Sequence, residues 1–217
     1  MKLTSLARLT GTVQTAPEYS HTSYGKHYWR MMIATTRQSG TRDYIPVTME
    51  EKTTLDWLPA VGDRVHVIGQ VRSHSEAKPE GGYKLHVEVT ARKLRPPEEG
   101  DPDNAITLGG YLNDTPSYRV TPFGREIADM LVCIPSQRHK KINKIPAIAW
   151  GKNAQLAQLL EAGSPIELTG RMQSREYRKA LPGGGSERHT VLEVSASSMT
   201  AETDALEEAD AAEAAQE

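Results

Sequence analysis

Apolar and polar residues alternate along most of the chain, and this spacing predicts β-strands. The clearest case is a strand in the second half whose apolar face comprises Ala128, Met130, Val132 and Ile134. A side-chain period of two is what a strand needs when one face meets the core and the other meets solvent. The pattern therefore predicts a mainly β protein.

One segment in each half departs from this alternation and has the spacing of a helix. In the second half its apolar positions are Leu156, Leu159 and Leu160. The weaker counterparts in the first half are Leu55, Leu58 and Val61. Asn153 can cap the start of the second segment and Gly163 can end it in the left-handed conformation. We expect one short helix in each half, between strands.

An internal repeat organises the chain, with matched residues about 100 positions apart. The pairs at an offset of 99 are Gly11 and Gly110, Pro17 and Pro116, Tyr19 and Tyr118, and Gly25 and Gly124. Later pairs, at offsets of 100, 101 and 105, are Ile45-Pro46 with Ile145-Pro146, Gly62 and Gly69 with Gly163 and Gly170, and Val87-Glu88-Val89 with Leu192-Glu193-Val194. Each added residue falls where a loop is expected.

The repeat gives the expected domain boundaries. Residues 1–94 form the first copy, 95–105 a stiff Pro-rich and acidic linker, 106–199 the second copy and 200–217 a tail. Three strands, a helix and two strands are the order of an OB fold, a small Greek-key barrel. We expect an all-β protein with one short helix per unit, built as two tandem OB-fold barrels and ending in a disordered acidic tail.

The formal net charge of −2 hides two basic blocks. Lys and Arg number 13 against 9 Asp and Glu in the first copy, and 12 against 8 in the second. The tail carries seven acidic residues and no basic one. Two basic bodies of this kind suit a polyanionic ligand.

Other features argue against catalysis and a membrane location. The single cysteine, Cys133, lies in an apolar run and is read as a buried structural thiol. The glycine run at 183–185 lacks the Gly-Lys-Ser/Thr of a phosphate loop, and the seven histidines lack ligand spacing. No stretch approaches the roughly 18 apolar residues of a membrane span, and no secretory signal is present. We expect a cytoplasmic protein that is not an enzyme and needs no cofactor or metal.

Four short sequence motifs in the second copy occur in a characteristic order. They are Gly110-Tyr111-Leu112-Asn113-Asp114-Thr115-Pro116, Thr121-Pro122-Phe123-Gly124, Ile145-Pro146-Ala147-Ile148-Ala149-Trp150-Gly151-Lys152 and Gly170-Arg171-Met172-Gln173-Ser174-Arg175-Glu176-Tyr177. Together they resemble the bacterial single-stranded DNA-binding protein family, and the whole chain resembles its two-OB-fold members. The resemblance implies non-catalytic, largely sequence-independent binding of single-stranded DNA during replication, recombination or repair, in association with the nucleoid.

The resemblance also implies that Trp150 and Tyr177 stack on bases, with Tyr118 and Phe123 as further candidates. Stacking on one base is worth about 1–3 kcal/mol when the ring is replaced by alanine. The alternation supports this for Trp150, because an inward-facing set at 145, 147 and 149 would leave it pointing out with Ile148. The alternative is a tryptophan packed in the core.

Basic segments border the groove that an OB fold offers to its ligand. They run over 138–144 and 175–188, and the alternative reading is an ordinary solvated surface. The expected phosphate contacts are Lys152, Arg171, Arg175, Arg178, Arg138, Lys140, Lys141, Lys144 and Arg119.

The first copy departs from this pattern. Glu50 and Glu51 stand where the second copy has Trp150 and Gly151, and Glu76 stands in the place of Tyr177. A carboxylate repels phosphate, so we expect less affinity from this copy. The rings that could substitute are Tyr24, Tyr28, Tyr44 and His74, whereas Trp29 is expected in the core.

By resemblance, four OB domains come together, so the chain is expected to form a homodimer. Family tails dock replication and repair proteins through an apolar tip, which this tail lacks, leaving an electrostatic role in which the tail competes for the basic groove. Two alternatives stay open, namely an OB-fold protein-interaction module of a primosome-like assembly and an RNA-binding protein.

Overall fold

The computed structural model describes residues 2–54, 57–79, 81–136, 141–180 and 185–201, with side chains omitted at 176–180 and 186–189. The chain is mostly β. Its strands are β1 (Thr4–Val13), β2 (Glu18–Ser23), β3 (Lys26–Thr36), β4 (Arg42–Glu50), β5 (Arg64–Ala77), β6 (Tyr83–Arg95), β7 (Asn104–Leu112), β8 (Ser117–Val120), β9 (Glu126–Pro135), β10 (Ile142–Trp150), β11 (Pro165–Ala180) and β12 (Ser186–Ala201). A 3₁₀ turn covers Glu51–Thr54, and the α-helix α1 covers Lys152–Gln158.

Five strands of the first half each pair with two neighbours, so that the pairings return to the starting strand. β1 runs antiparallel to both β3 and β5, β3 to β4, and β5 to β6, while β4 and β6 are parallel. β2 adds a hairpin arm to β3. The parallel pair requires a crossover, which the 3₁₀ turn and β5 provide. The largest side chains buried here are Leu9, Met31, Ile33, Ile45 and Met49.

The second half repeats this order of elements and of strand neighbours. The registers agree with the offsets read from the sequence. Tyr28 pairs with Glu50 in the first half, and Ile127 pairs with Trp150 in the second. These positions are 99 and 100 residues apart, as the matched sequence motifs require.

Two recurring glycines have the same steric cause in both halves. A Cβ at Gly69 would collide with the carbonyl oxygen of Thr90, and a Cβ at Gly170 with that of Ser195. Both glycines lie where the fifth and sixth strands of a half approach each other closely. A side chain would force these backbones apart, which explains why glycine recurs there.

The chain forms two compact units whose limits differ from the limits of the copies. One unit, here the Trp150 unit, comprises Met1–Thr4, Thr107–Gly170 and Ser195–Glu217. The other, the Tyr44 unit, comprises Ser5–Ile106 and Arg171–Val194. The distal parts of β11 and β12 therefore belong with the strands of the first copy.

The expected helix of the first copy is absent from the residues described there. The chain makes only the 3₁₀ turn, Leu58 and Val61 are more than half exposed, and Leu55 lies outside the described residues. Gly151, which precedes α1, has a φ of 53°, a left-handed value, and the first copy has Glu51 at that position. Because Glu51 stands where the second copy has Gly151, the first copy lacks the left-handed residue before the helix, and the 3₁₀ turn begins at Glu51 itself.

In the second copy α1 is shorter than expected. It spans Lys152–Gln158, and its first turn has no side-chain cap. Asn153, expected as the cap, instead donates its side-chain amide to the carbonyl of Ser197 at 3.3 Å. Leu160 is buried just beyond the helix while Leu159 is exposed, so the apolar run continues into the turn that Gly163 ends.

The carboxylate of Asp101 helps to hold the segment between β6 and β7 in the Tyr44 unit. Asp101 accepts two hydrogen bonds of 2.7 Å from the guanidinium of Arg95. Its pKa lies far below the usual range, because of the Arg95 hydrogen bonds first and the Glu98 backbone N–H second. His66, which is 1% exposed, lies beside Asp101 and shares a 2.8 Å hydrogen bond with the hydroxyl of Thr10. These contacts anchor the segment to the Tyr44 unit.

Candidate nucleic-acid interface

Trp150 lies on the outer face of three neighbouring strands in the Trp150 unit. It pairs with Ile127 on β9, which pairs in turn with Arg119 on β8. Directly paired residues of antiparallel strands share a face. The row thus carries an indole and a guanidinium on either side of Ile127, which is buried.

The indole is exposed because β10 ends there. Trp150 is 40% exposed, whereas Ile148, on the same face two residues earlier, is 5% exposed. The expectation that Ile148 points into solvent is therefore wrong. Alternation predicts which face of a strand a residue lies on, but it does not predict whether other parts of the protein cover that face. Gly151 then turns the chain and Lys152 begins α1 with an exposed side chain.

A second ring and cation share a row at the other end of this face. Tyr111 on β7 pairs with Cys133, and Cys133 pairs with Lys144 on β10. Tyr111 is 41% exposed and Lys144 is exposed. Lys144 and Trp150 are six residues apart on one strand, so the two rows stand about 20 Å apart.

Tyr111 is not among the residues that the sequence predicted to bind DNA. Its signal was the alternation of an aromatic residue between two buried positions, Gly110 and Leu112.

Burial raises the pKa of the Cys133 thiol in this row, against a smaller opposing effect of Lys144. The thiol stays protonated and donates to the side-chain oxygen of Asn113 at 3.3 Å. Cys133 is only partly buried, so the expectation of a buried thiol is wrong.

Acidic neighbours hold two of the candidate side chains. Arg119 forms an ion pair with Asp129, and both are substantially exposed. The hydroxyl of Tyr118 donates to Glu126 at 2.7 Å, and this hydrogen bond raises the pKa of Tyr118 above its ordinary value. Tyr118 pairs with the buried Ala128, so it lies in a different row from Trp150.

Two other candidates stand apart from these rows. Phe123 is 91% exposed, in the tight turn between β8 and β9. Lys141 is exposed and directly precedes β10. The structure therefore offers both to solvent.

The remaining candidates divide into two groups. Arg171 and Arg175 are exposed on β11 in the Tyr44 unit, the former bonded to Gln173 at 3.3 Å and the latter 3.5 Å from a Glu193 oxygen. They do not belong to the unit that contains Trp150. Outside the described residues or side chains lie Arg138, Lys140, Tyr177 and Arg178.

At the register position of Trp150 the first copy has a carboxylate paired with two cations. Glu50 lies 3.1 Å from the Lys26 ammonium and 3.3 Å from that of Lys52. Burial opposes ionisation of Glu50, but hydrogen bonds from both lysines outweigh it and lower its pKa. The Lys52 ammonium is thus paired with the Glu50 carboxylate. In the second copy the residue at the position of Glu50 is the uncharged Trp150, two residues before Lys152.

Within the described parts of the chain, no cluster of three or more His, Cys, Asp or Glu residues could hold a metal ion. Among the same residues, no helix is both long enough and apolar enough to cross a membrane.

Residues 103–201 match the model of the single-strand binding protein family. The matched segment contains every strand of the interface described above. No curated protein matches the chain in sequence.

Solved structures resemble the chain over nearly its whole length. The wild-type single-stranded DNA binding protein from Thermus aquaticus has a TM-score of 0.72 at 21% identity, covering 94% of this chain and 95% of that chain. A deletion mutant of that protein gives 0.72 at 20%, covering 93% and 95%. At such identities the likeness is one of fold.

A dimeric N-terminal domain of PriB protein from Thermoanaerobacter tencongensis is 32% identical, covering 44% of this chain and 98% of that chain. Its TM-score of 0.37 supports no conclusion about this chain.

Proposed function

We propose that this chain is a non-enzymatic member of the single-strand binding protein family that holds single-stranded DNA largely independently of sequence. The observation that carries the proposal is the exposed Trp150, in one row with Arg119, on the segment that matches the family. A flexible anionic strand whose bases have flat apolar faces needs rings for stacking and cations for phosphate.

Two ring-and-cation rows on one face suit a strand of several nucleotides. The row of Trp150 with Arg119 and the row of Tyr111 with Lys144 stand about 20 Å apart, a distance that a few nucleotides span. Lys152 adds a cation next to the indole. Arg119 exchanges its exposed Asp129 partner for a phosphate, with which a guanidinium forms bidentate, charge-assisted hydrogen bonds.

The proposal extends to the organisation of the chain. The equal registers of the two halves and the recurring close-packed glycines support two copies of one OB-type unit, 1–94 and 106–199, joined by 95–105 and followed by an acidic tail at 200–217. We further propose that the chain forms a homodimer with four such units and protects single strands during replication, recombination or repair in the cytoplasm.

Anisotropy of a labelled oligo-dT, titrated with the full chain, tests the function. Trp150→Ala and Tyr111→Ala are expected to weaken binding by about fivefold or more each, as the loss of one stacked base requires. Trp150→Phe keeps a ring and is expected to retain most of the affinity. Equal affinity of the wild type and Trp150→Ala would refute a role for this face.

Salt dependence separates this function from a protein-interaction module. Affinity for oligo-dT is expected to fall steeply and log-linearly with salt, because phosphate contacts release counterions. Binding that is absent at low salt would remove the proposal altogether. A matched oligo-U competition measures the preference for DNA over RNA.

A further inference from the structure

Two histidines face each other across the β5–β6 hairpin of the Tyr44 unit. His74 on β5 pairs with His86 on β6 in the strand register. Directly paired residues of antiparallel strands lie on one face of the sheet, with Cβ atoms about 4.5–5.5 Å apart. The two rings are stacked, with centroids 4.9 Å apart and planes within 8° of parallel. The hairpin thus brings two imidazoles together that the spacing of histidines in the sequence does not reveal.

A carboxylate decides which nitrogen of one ring carries the proton. Glu76 follows His74 by two residues on β5, so it lies on the same face, and its Oε2 is 2.7 Å from Nε2 of His86. A carboxylate oxygen accepts a hydrogen bond, so Nε2 of His86 donates one. In the neutral ring the lone pair is then on Nδ1. Histidines that bind a metal through one nitrogen usually donate the other N–H to such a partner.

The His74 ring is able to adjust to an ion shared with His86. Its side chain is exposed and makes no hydrogen bond with any residue in the described ranges. Exposed side chains change rotamer within nanoseconds, so this ring can turn its edge toward Nδ1 of His86. Zn²⁺ needs imidazole nitrogens about 2.0–2.1 Å away, which two rings on directly paired residues can supply together.

The charges on this face of the hairpin do not oppose a cation. Arg72 on β5 pairs with Glu88 on β6, and Glu76 pairs with Lys84. All four side chains lie on the face that carries the two histidines, because each is two residues from one of them. Two cations are therefore matched by two carboxylates, and no excess of positive charge repels a divalent ion.

The sequence of the second copy does not repeat this arrangement. At the offsets of 101 and 105, Arg175 and Val191 stand where the first copy has its two histidines. Tyr177 stands in the place of Glu76. The loss of a candidate stacking ring at this position has no explanation in DNA binding, whereas a carboxylate there orients His86.

We propose that His74 and His86 chelate a divalent late first-row transition-metal ion, with Glu76 orienting His86 through its Nε2–H. Imidazole nitrogens suit Zn²⁺, Ni²⁺ and Cu²⁺, and water completes the coordination. Such a chelate has two protein ligands, so it differs from the clusters of three or more that the described part of the chain does not form. The ion joins the two strands of the hairpin, and the inference does not depend on DNA binding.

Calorimetric titration of the full chain with ZnCl₂ in a non-chelating buffer tests the site. The wild type is expected to bind Zn²⁺ saturably, and His74→Gln and His86→Gln are each expected to lose this binding because one ligand is removed. Glu76→Ala is expected to weaken it by about tenfold or more, as the loss of an orienting carboxylate does.

Electron paramagnetic resonance of bound Cu²⁺ separates the ligands from the positioning residue. The wild type and Glu76→Ala are both expected to show two coordinated imidazole nitrogens, and either histidine variant only one. Loss of a nitrogen in Glu76→Ala would contradict a purely orienting role for the carboxylate.

The β2–β3 hairpin offers a matched control, because it also carries two histidines. His21 pairs with Tyr28 and His27 pairs with Thr22, so these two histidines lie on opposite faces and cannot chelate one ion. The double variant His21→Gln with His27→Gln is expected to bind Zn²⁺ as the wild type does. Thermal melting of each variant verifies that it folds.

Absence of saturable Zn²⁺ binding to the folded wild type overturns the metal site. Equal Zn²⁺ affinity of the wild type and the His74 and His86 variants does the same, as does loss of binding in the control variant. None of these results bears on the Trp150 face, which the oligo-dT titrations test without a metal.

Discussion

Residues at equivalent register positions of the two halves have different surroundings, and these surroundings decide what each side chain can contact. Trp150 and Glu50 occupy one register position, and one offers a ring to solvent while the other is neutralised by lysines. Gly69 and Gly170 also share a position, and there the constraint of close backbones has kept the residue the same. The two halves thus share the residue that the close backbones require and differ at this outward-facing position.

The close approach at Gly170 gives a test of stability at this scale. Gly170→Ala is expected to lower the free energy of unfolding by about 3 kcal/mol, because its methyl group collides with the Ser195 carbonyl and the strands must separate. Urea unfolding followed by circular dichroism measures the change. Gly40→Ala is the control, since a methyl there meets open space and only the left-handed backbone opposes it, at about 1 kcal/mol. A Gly170 variant as stable as the Gly40 variant would show that the strands can shift freely.

At the scale of elements, the sequence predicted the strands well and the connections poorly. Alternation placed Met130, Val132 and Ile134 in the core, as observed, because burial of one strand face is a local periodic property. The first-copy helix failed because its formation depends on a left-handed residue before it, and Glu51 cannot supply one cheaply. The Tyr111 row was missed because a row joins three strands distant in sequence. The contact of Asp43 on β4 with Ser174 on β11 could not be foreseen, since the two residues are 131 positions apart in the sequence.

The anchoring of β11 by Asp43 predicts a specific acid sensitivity. Burial opposes ionisation of Asp43, but the Arg37 and Ser174 hydrogen bonds outweigh it and lower the pKa below its ordinary value. A carboxyl group with a lowered folded pKa stabilises the protein above the unfolded pKa of about 3.9, and the contribution is lost as the pH falls through the folded value.

Asp43→Asn is therefore expected to destabilise the protein by about 3 kcal/mol at neutral pH, because Arg37 loses its partner. The difference from wild type should shrink below about pH 4, as measured by urea unfolding at a series of pH values. Glu50→Gln is the control, whose exposed lysine partners make its loss small. A difference that stays constant down to pH 2 would mean that the Asp43 carboxylate is not the origin of the effect.

For the whole molecule, charge distribution decides how tightly DNA is held. The segment 202–217 carries seven carboxylates and no basic residue, against two basic copies. Its removal, which spares β12, is expected to tighten oligo-dT binding several-fold at low salt and to have little effect once salt screens the charges. Anisotropy titrations at two salt concentrations measure this. Replacing the acids by Gln and Asn should reproduce the deletion, and a deletion that alters nothing at low salt would exclude competition by the tail.

The assignment of Arg171–Val194 to the same compact unit as the first copy has a consequence for how the protein can be divided. Each unit contains chain from both sides of the connection at 96–103, so a protease nick there separates the polypeptide without separating the units into self-sufficient pieces. A truncation that keeps a complete compact unit must therefore keep residues from both sides of this connection.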